Sequence, residues 1–430
     1  MMKSSESFKS VDQQGQLNKH RPMIVFGEDW GGHPSSTQHL IKVLRESRDV
    51  IWINSIGLRA PSVSVRDIGR IFNKLFAFAS SLFNKHKSQQ EEGKNVTSDT
   101  GDKHHSANSR FKFKVISPLI FPCPNSSLMV KINRFLLKLQ VKRSMESIEQ
   151  RAPIVWTSLP TAVDYLSLFK GHADVYYCGD DFSALAGVDH DYVVPKEKKL
   201  LGQANMVFVA SEALNNKFTQ TDISKLDSDD QCVKQAKTVT IPHGVDTQLF
   251  GPAERPKPDD LPLGRPIAGF YGSISNWLDQ KLIVEAAQIL KGWDFVLVGN
   301  IECDVSLLKA QDNIHFLPAK AHHDLPNYLT HWQVALLPFV DNEQIRKCNP
   351  LKLREYLASG VPIVTTEFNA IKEYQDLVEV VNSKQNIADA IVRAAKRSDD
   401  LTAKTSRINR VSKASWQERA RVVDGYLLNC

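Results

Sequence analysis

The amino-acid sequence predicts an α/β protein built from two doubly wound domains. Short apolar runs of strand length alternate with helical stretches along most of the chain. The alternation stops at the Pro- and charge-rich segment 251–264 and then restarts. A length of 430 residues suits two domains of ordinary size. Two such domains facing across a cleft would place ligands beyond the carboxyl ends of their strands, where open parallel sheets bind them.

The elements follow in chain order. Residues 1–20 are polar, carry no apolar core of a signal peptide, and read as a disordered tail. The first domain spans 21–250. It opens with a strand at Met23–Phe26, a loop holding Gly31, Gly32 and His33, a helix near Ser36–Ser47 and a strand at Val50–Asn54. The stretch Arg66–Lys87 sets Ile68, Phe72, Leu75, Phe76 and Phe83 among Arg70, Lys74 and Lys85. Such a pattern suits a helix lying on a membrane surface or one packed on its own domain. Residues 88–109 hold almost nothing apolar and read as a disordered insert. A second basic helix, Lys131–Arg143, carries the same two readings. Strands follow at Ile154–Thr157, Asp174–Cys178, Met206–Ser211 and Val239–Pro242. The second domain spans 265–412, with strands at Ile267–Tyr271, Phe295–Val298, Ile314–Leu317 and Val334–Leu337 and a helix near Asp279–Leu290.

Composition narrows the function. A hydrophobic content of 42% and a charged content of 24% fit a globular protein. A net charge of +6 admits an anionic ligand or a membrane surface but is too small to argue for nucleic acid. The six cysteines stand singly, without a C-x-x-C pair, which argues against a zinc site or a disulfide framework and for a reducing cytoplasm. No run approaches the roughly 20 apolar residues that span a bilayer.

The window Asn349–Val364, NPLKLREYLASGVPIV, carries the chemistry. Asn349 suits an N-cap and Pro350 the first helical position, while Gly360 suits the left-handed turn that ends a helix. Val361–Val364 then reads as a core strand. Lys352, Glu355 and Ser359 share one helix face. First-turn amides at Leu351 together with Lys352 would receive an anion, and Glu355, one turn deeper, would accept hydrogen bonds from paired hydroxyls. A phosphate followed by a vicinal diol describes a nucleotide sugar. The plain alternative is an ordinary capped helix before a strand.

The window extends as NPLKLREYLASGVPIVTT. With PHGVD at Pro242–Asp246, Leu325-Pro326 before VALLPF at Val334–Phe339, and the weaker match YYCGDDF at Tyr176–Phe182, the chain resembles the GT-B glycosyltransferases of family 4, of the teichuronic-acid or exopolysaccharide type, over roughly residues 21–425. The resemblance implies two Rossmann-like domains. It also implies a hexosyltransferase, retaining and metal-independent, that takes a nucleotide sugar as co-substrate without any cofactor. The acceptor would be a glycan or a lipid-linked glycan at the inner membrane face. The final stretch 413–430, with Trp416, resembles the helix that crosses back to the first domain. Glu355 matches the second glutamate of the family signature, which holds the ribose. The first falls at Lys347. The family's arginine and lysine after the first strand of the second domain are also missing, since Ser273 and the region of Asp279 stand there. We therefore expect the cations that offset the diphosphate to have moved, with Arg346, Lys347 and Lys352 as the candidates.

Each remaining candidate has two readings. Gly272-Ser273 brings amides to a phosphate or makes a tight turn. Gly31-Gly32 faces acceptor and leaving phosphate or is a flexible turn, and His33 carries a proton or sits on the surface. Asp181, with Asp180, is the expected carboxylate facing the acceptor, against a turn or capping pair. His243 lines the cleft or serves a turn. His322-His323 reads as a solvated helix cap. A nucleotide-sugar epimerase of the same fold and a non-catalytic subunit of a polysaccharide assembly complex are the rival functions.

Overall fold

The computed structural model describes residues 21–32, 35–56, 111–121, 127–146, 148, 151–169, 173–220, 236–381 and 386–428. The expected tail at 1–20, the amphipathic stretch 66–87, the insert 88–109 and His33 lie outside the described residues. The chain divides into two compact units. One holds residues up to Val209, Lys217–Val239 and the chain from Val422 on; the other holds Ala210–Asn216 and Thr240–Arg421.

The first unit is built on seven strands: β1 (Met23–Phe26), β2 (Val50–Ile53), β3 (Phe113–Ile116), β4 (Ile154–Thr157), β5 (Ala173–Cys178), β6 (Met206–Val209) and β7 (Lys237–Thr240). Their order is β3-β2-β1-β4-β5-β6-β7. Pairing is parallel from β3 through β6. Every residue of β1, β2, β4 and β6 is buried, as expected for parallel strands covered on both faces. The chain's end is tied into this unit. Asp424 pairs with the fully buried Arg48 guanidinium, which burial depresses to about 10, and Tyr426 meets Phe208 edge-on, 6.0 Å between centroids.

The second unit has six strands: β8 (Ile267–Tyr271), β9 (Asp294–Val298), β10 (Ile314–Leu317), β11 (Val334–Leu337), β12 (Ile363–Thr366) and β13 (Glu379–Val381). They run parallel in the order β10-β9-β8-β11-β12-β13. Both sheets therefore reverse direction beside their first strand, at β1/β4 and at β8/β11, and such switch points open crevices at the carboxyl ends. The segment 251–264 has no helix or strand yet is anchored on this unit. Leu261 enters its core, and Asp260 accepts from Lys320 at 2.6 Å and from Tyr328 at 2.8 Å. In the turn after β7, Gly244 is packed so closely that a Cβ would lie 2.7 Å from the Trp416 ring.

Candidate functional site

At the carboxyl end of β8 the backbone makes a turn that glycine adopts without strain. Gly272 has φ 135° and donates its amide to Val298 O at 2.8 Å. Gly299, after β9, has φ 152°, and a Cβ there would stand 2.0 Å from Gly272 O. Both conformations strain a residue that carries a side chain, and at Gly299 the backbone approach leaves no room for one. The space left above Gly272 is taken by Lys352. A Cβ on Gly272 would lie 2.2 Å from Lys352 Cε and 2.8 Å from its Nζ. The ammonium sits over Phe270 and Trp277, 5.9 and 5.6 Å from their ring centroids, which holds a cation by its attraction to the aromatic faces.

Lys352 belongs to the helix Leu351–Ser359, which ends on Gly360 in the left-handed conformation, φ 76°. The start differs from expectation by one residue. Pro350 is the N-cap and supplies no side-chain acceptor. Asn349 does not cap, because its buried amide is used otherwise. Its Nδ2 donates to Ala210 O at 2.7 Å, and its Oδ1 accepts from Arg354 at 2.6 Å. The helix start therefore keeps its positive end without a capping oxygen in front of it.

Glu355 lies one turn in, buried. Its Oε2 accepts from Tyr271 Oη at 2.5 Å, and its Oε1 meets His322 Nε2 at 2.7 Å. Burial pushes the carboxyl up, but the His322 and Tyr271 hydrogen bonds and attraction to His322 and Lys352 outweigh it and hold the group below the usual carboxylate range. Each oxygen accepts two bonds, so the pair retains acceptor capacity for a diol. His322 is thus no solvated cap. His323 does face solvent, beside Asp324 at 3.5 Å. Tyr271, Trp277 and His322 were not legible as site residues, because each lies far from the 349–364 window in sequence and reads locally as core or loop.

The other expected cations are committed elsewhere. Lys347 Nζ pairs with Glu343 at 2.7 Å within its own short helix, and Arg346 forks onto Asp341. The Lys347 carbonyl accepts from Ser211 Oγ at 2.9 Å. Ser273 Oγ donates to Glu302 at 3.0 Å. Of the three candidates, Lys352 is the one that stands at Gly272.

In the first unit, Gly31 has φ 78° and open space around it, and its amide donates to Gln38 Oε1 at 3.1 Å. Gly32 donates to Asp29 O at 3.0 Å. Both are exposed. Asp180 is exposed, whereas Asp181 is turned inward. Asp181 Oδ1 accepts from Ser183 Oγ at 2.6 Å and pairs with Lys217, whose Nζ lies 3.8 Å from the buried Glu197. Its enclosed carboxylate closes a turn and neutralises a lysine. Burial raises two first-unit carboxyls: Glu197, which meets Tyr176 and Lys217 inside the unit, and Glu28, two residues past β1 at the switch point. At Glu28, bonds from its own backbone and from Ser35 Oγ at 2.8 Å partly offset that rise. Nothing in the local sequence GED distinguishes it. His243 is buried in the turn that follows β7. Among the described residues no group of three His, Cys, Asp or Glu side chains is placed to hold a metal.

Residues 265–397 match the protein family described as Glycosyl transferases group 1. Over 283 residues, 61% of this chain and 68% of its relative, the sequence is 27% identical to TuaH of Bacillus subtilis (strain 168), a provisionally assigned teichuronic acid biosynthesis glycosyltransferase. Among solved structures, sucrose-phosphate synthase from Thermosynechococcus elongatus is similar with a TM-score of 0.63 at 15% identity, covering 95% of this chain and 98% of that one. Alr3699/HepE from Anabaena, in complex with UDP, gives 0.56 at 13% identity, covering 95% and 100%. At such identities the likeness is one of fold, and it matches the two Rossmann-like domains seen here.

Proposed function

Because residues 265–397 form a glycosyl transferases group 1 domain in a chain of the GT-B fold, we propose that this protein moves a sugar from a nucleotide-diphosphate donor onto a glycan or lipid-linked acceptor in polysaccharide biosynthesis. One observation carries the donor site. Lys352 lies across Gly272 at the start of a helix whose next turn presents Glu355, clamped by Tyr271 and His322. The diphosphate would rest on the first-turn amides and Lys352, with Pro350 and Leu351 shaping the mouth. The ribose diol would bond to the remaining lone pairs of Glu355. As the glycosidic bond breaks, negative charge grows on the leaving diphosphate, and fixed amides and an ammonium stabilise it without reorganising. This placement needs no metal ion and supports metal-independent transfer. Retention of the anomeric configuration is part of the proposal and rests on the family resemblance. Glu28, with the Gly31-Gly32 loop, is the first unit's best candidate for orienting an acceptor hydroxyl and taking its proton, ahead of Asp181 and Asp180. Tethering to the inner membrane face follows if the acceptor carries a lipid.

The test is a thermal-shift and calorimetry panel of nucleotides and nucleotide sugars on the full chain. A ligand that binds only the folded state raises its melting temperature. A selective shift by one nucleoside diphosphate and its sugar, lost on Glu355→Ala, is expected. A panel with no shift would overturn the donor site. Conversion of a nucleotide sugar in the absence of any acceptor to an epimer, rather than to a hydrolysed sugar, would replace transfer by epimerisation.

A further inference from the structure

The helix Ser127–Met145, SLMVKINRFLLKLQVKRSM, has apolar side chains on two opposite faces. One face is inward. Leu137 and Val141 are buried, and so is Asn133 beside them, donating to Phe121 O at 2.9 Å and accepting from Phe121 N at 2.8 Å. The other face is outward. Leu128, Ile132, Phe135 and Leu139 expose 64%, 36%, 62% and 54% of their surface. Their spacing of four, three and four residues places them in one stripe, within an arc of about 60° and about 180° from Leu137. Single exposed hydrophobics are ordinary, but a continuous row along three turns marks a surface that something covers.

The flank of the row shows what covers it. Lys131, Lys138 and Lys142 are exposed along one side of the stripe, and the helix contains no Asp or Glu. From this geometry we infer that the helix Ser127–Met145 is a docking surface for an anionic bilayer, with Leu128, Ile132, Phe135 and Leu139 entering the headgroup–acyl boundary and the lysines meeting lipid phosphates. An apolar row edged by one sign of charge is what an interfacial helix presents, and each lysine near such a surface adds attraction. A second copy of the chain would fit less well, because pairing two such faces brings like-charged lysines together. Among the described residues no helix is long and apolar enough to cross a membrane, so this contact is lateral. The inference goes beyond glycosyl transfer and does not depend on it.

The experiment is co-sedimentation of the full chain with vesicles of phosphatidylcholine alone and of phosphatidylcholine mixed with phosphatidylglycerol, at low and high salt. Wild type is expected to pellet with the anionic vesicles and to be released by salt. Phe135→Ser/Leu139→Ser and, separately, Lys131→Glu/Lys138→Glu are each expected to weaken that binding by about tenfold or more. The lysine pair is solvent-facing, so it keeps the test open should the apolar pair fold poorly. Wild type that ignores anionic vesicles overturns the inference. So does binding unchanged in both variants, which would put the contact elsewhere in the chain, and so does a wild-type dimer that the serine variant makes monomeric. Nucleoside-diphosphate binding, measured in parallel, should be the same in all forms. Its loss from wild type would count against the donor site and not against this surface.

Discussion

Placing a methyl group on Gly272 tests the donor site without removing any charge. In Gly272→Ala the new Cβ would lie 2.2 Å from Lys352 Cε and 2.8 Å from Nζ, at a φ of 135°. The backbone conformation alone costs an L-residue about 1–3 kcal/mol, or roughly 2–4 °C of melting temperature per kcal/mol in a unit of this size. The steric obstacle is the far end of a flexible side chain, so the lysine yields and its ammonium leaves Phe270 and Trp277. A hydrogen bond to a charged partner contributes about 1.5–3 kcal/mol, which is about 10- to 150-fold in affinity. Gly272→Ala and Lys352→Ala should therefore each weaken a nucleoside diphosphate by about that factor, while the same nucleoside without phosphates binds as before. The double variant should bind little worse than Lys352→Ala, because the methyl then meets no lysine, and this non-additivity reports direct contact. Isothermal titration calorimetry on the four proteins measures it. Diphosphate affinity unchanged in Lys352→Ala, or losses that simply add in the double variant, would refute the reasoning.

Three further outcomes are expected. Glu355 is held below its ordinary value, so its contribution is present above the unfolded value of about 4.5 and is lost as pH falls through the folded value; Tyr271→Phe or Glu355→Gln should flatten the acid limb of a melting-temperature profile, and an unchanged limb would contradict the clamp. Asp181→Asn should lower stability by about 1.5–3 kcal/mol, because Lys217 loses a charged partner, while kcat of the folded enzyme stays the same; denaturant titration beside steady-state kinetics separates the two, and a large fall in kcat at constant stability would return Asp181 to the reaction. Glu28 is raised by burial, so the folded state holds its proton more tightly and loses stability as pH rises through the folded value. Glu28→Gln should therefore raise the melting temperature at alkaline pH and leave it nearly unchanged in acid. It should also lower kcat, and a variant with wild-type kcat would remove Glu28 from the chemistry.

Both sheets were legible because buried parallel strands leave an apolar trace: β1, β4, β8 and β11 begin and end at the expected residues, as does the edge strand β10, in which Ile314 alone is buried. Two other edge strands, β3 and β13, left no trace. In β3, FKVI, no residue is buried, and β13 is only EVV. With one neighbour each, such strands need no apolar run. The same locality explains the N-cap. Asn349 has the right chemistry for a cap, but a buried amide must satisfy both its donor and its acceptor, and Ala210 and Arg354 do so. His322 read as a cap because only the fold brings it to Glu355, 33 positions away.

Taken alone, the sequence determined the α/β class, the two-domain plan, the Gly360 helix stop and the pairing of Lys352 with Glu355 on one helical face, all of which follow from spacing within a few residues. Tertiary structure decided which cation stands at the turn of Gly272, which residues clamp Glu355, that Asp181 is enclosed, and that Glu28 is the carboxyl pushed upward at the end of β1. Those outcomes depend on burial and on partners distant in the chain, and hydrogen bonds and desolvation act through space, where neither periodicity nor local propensity records them.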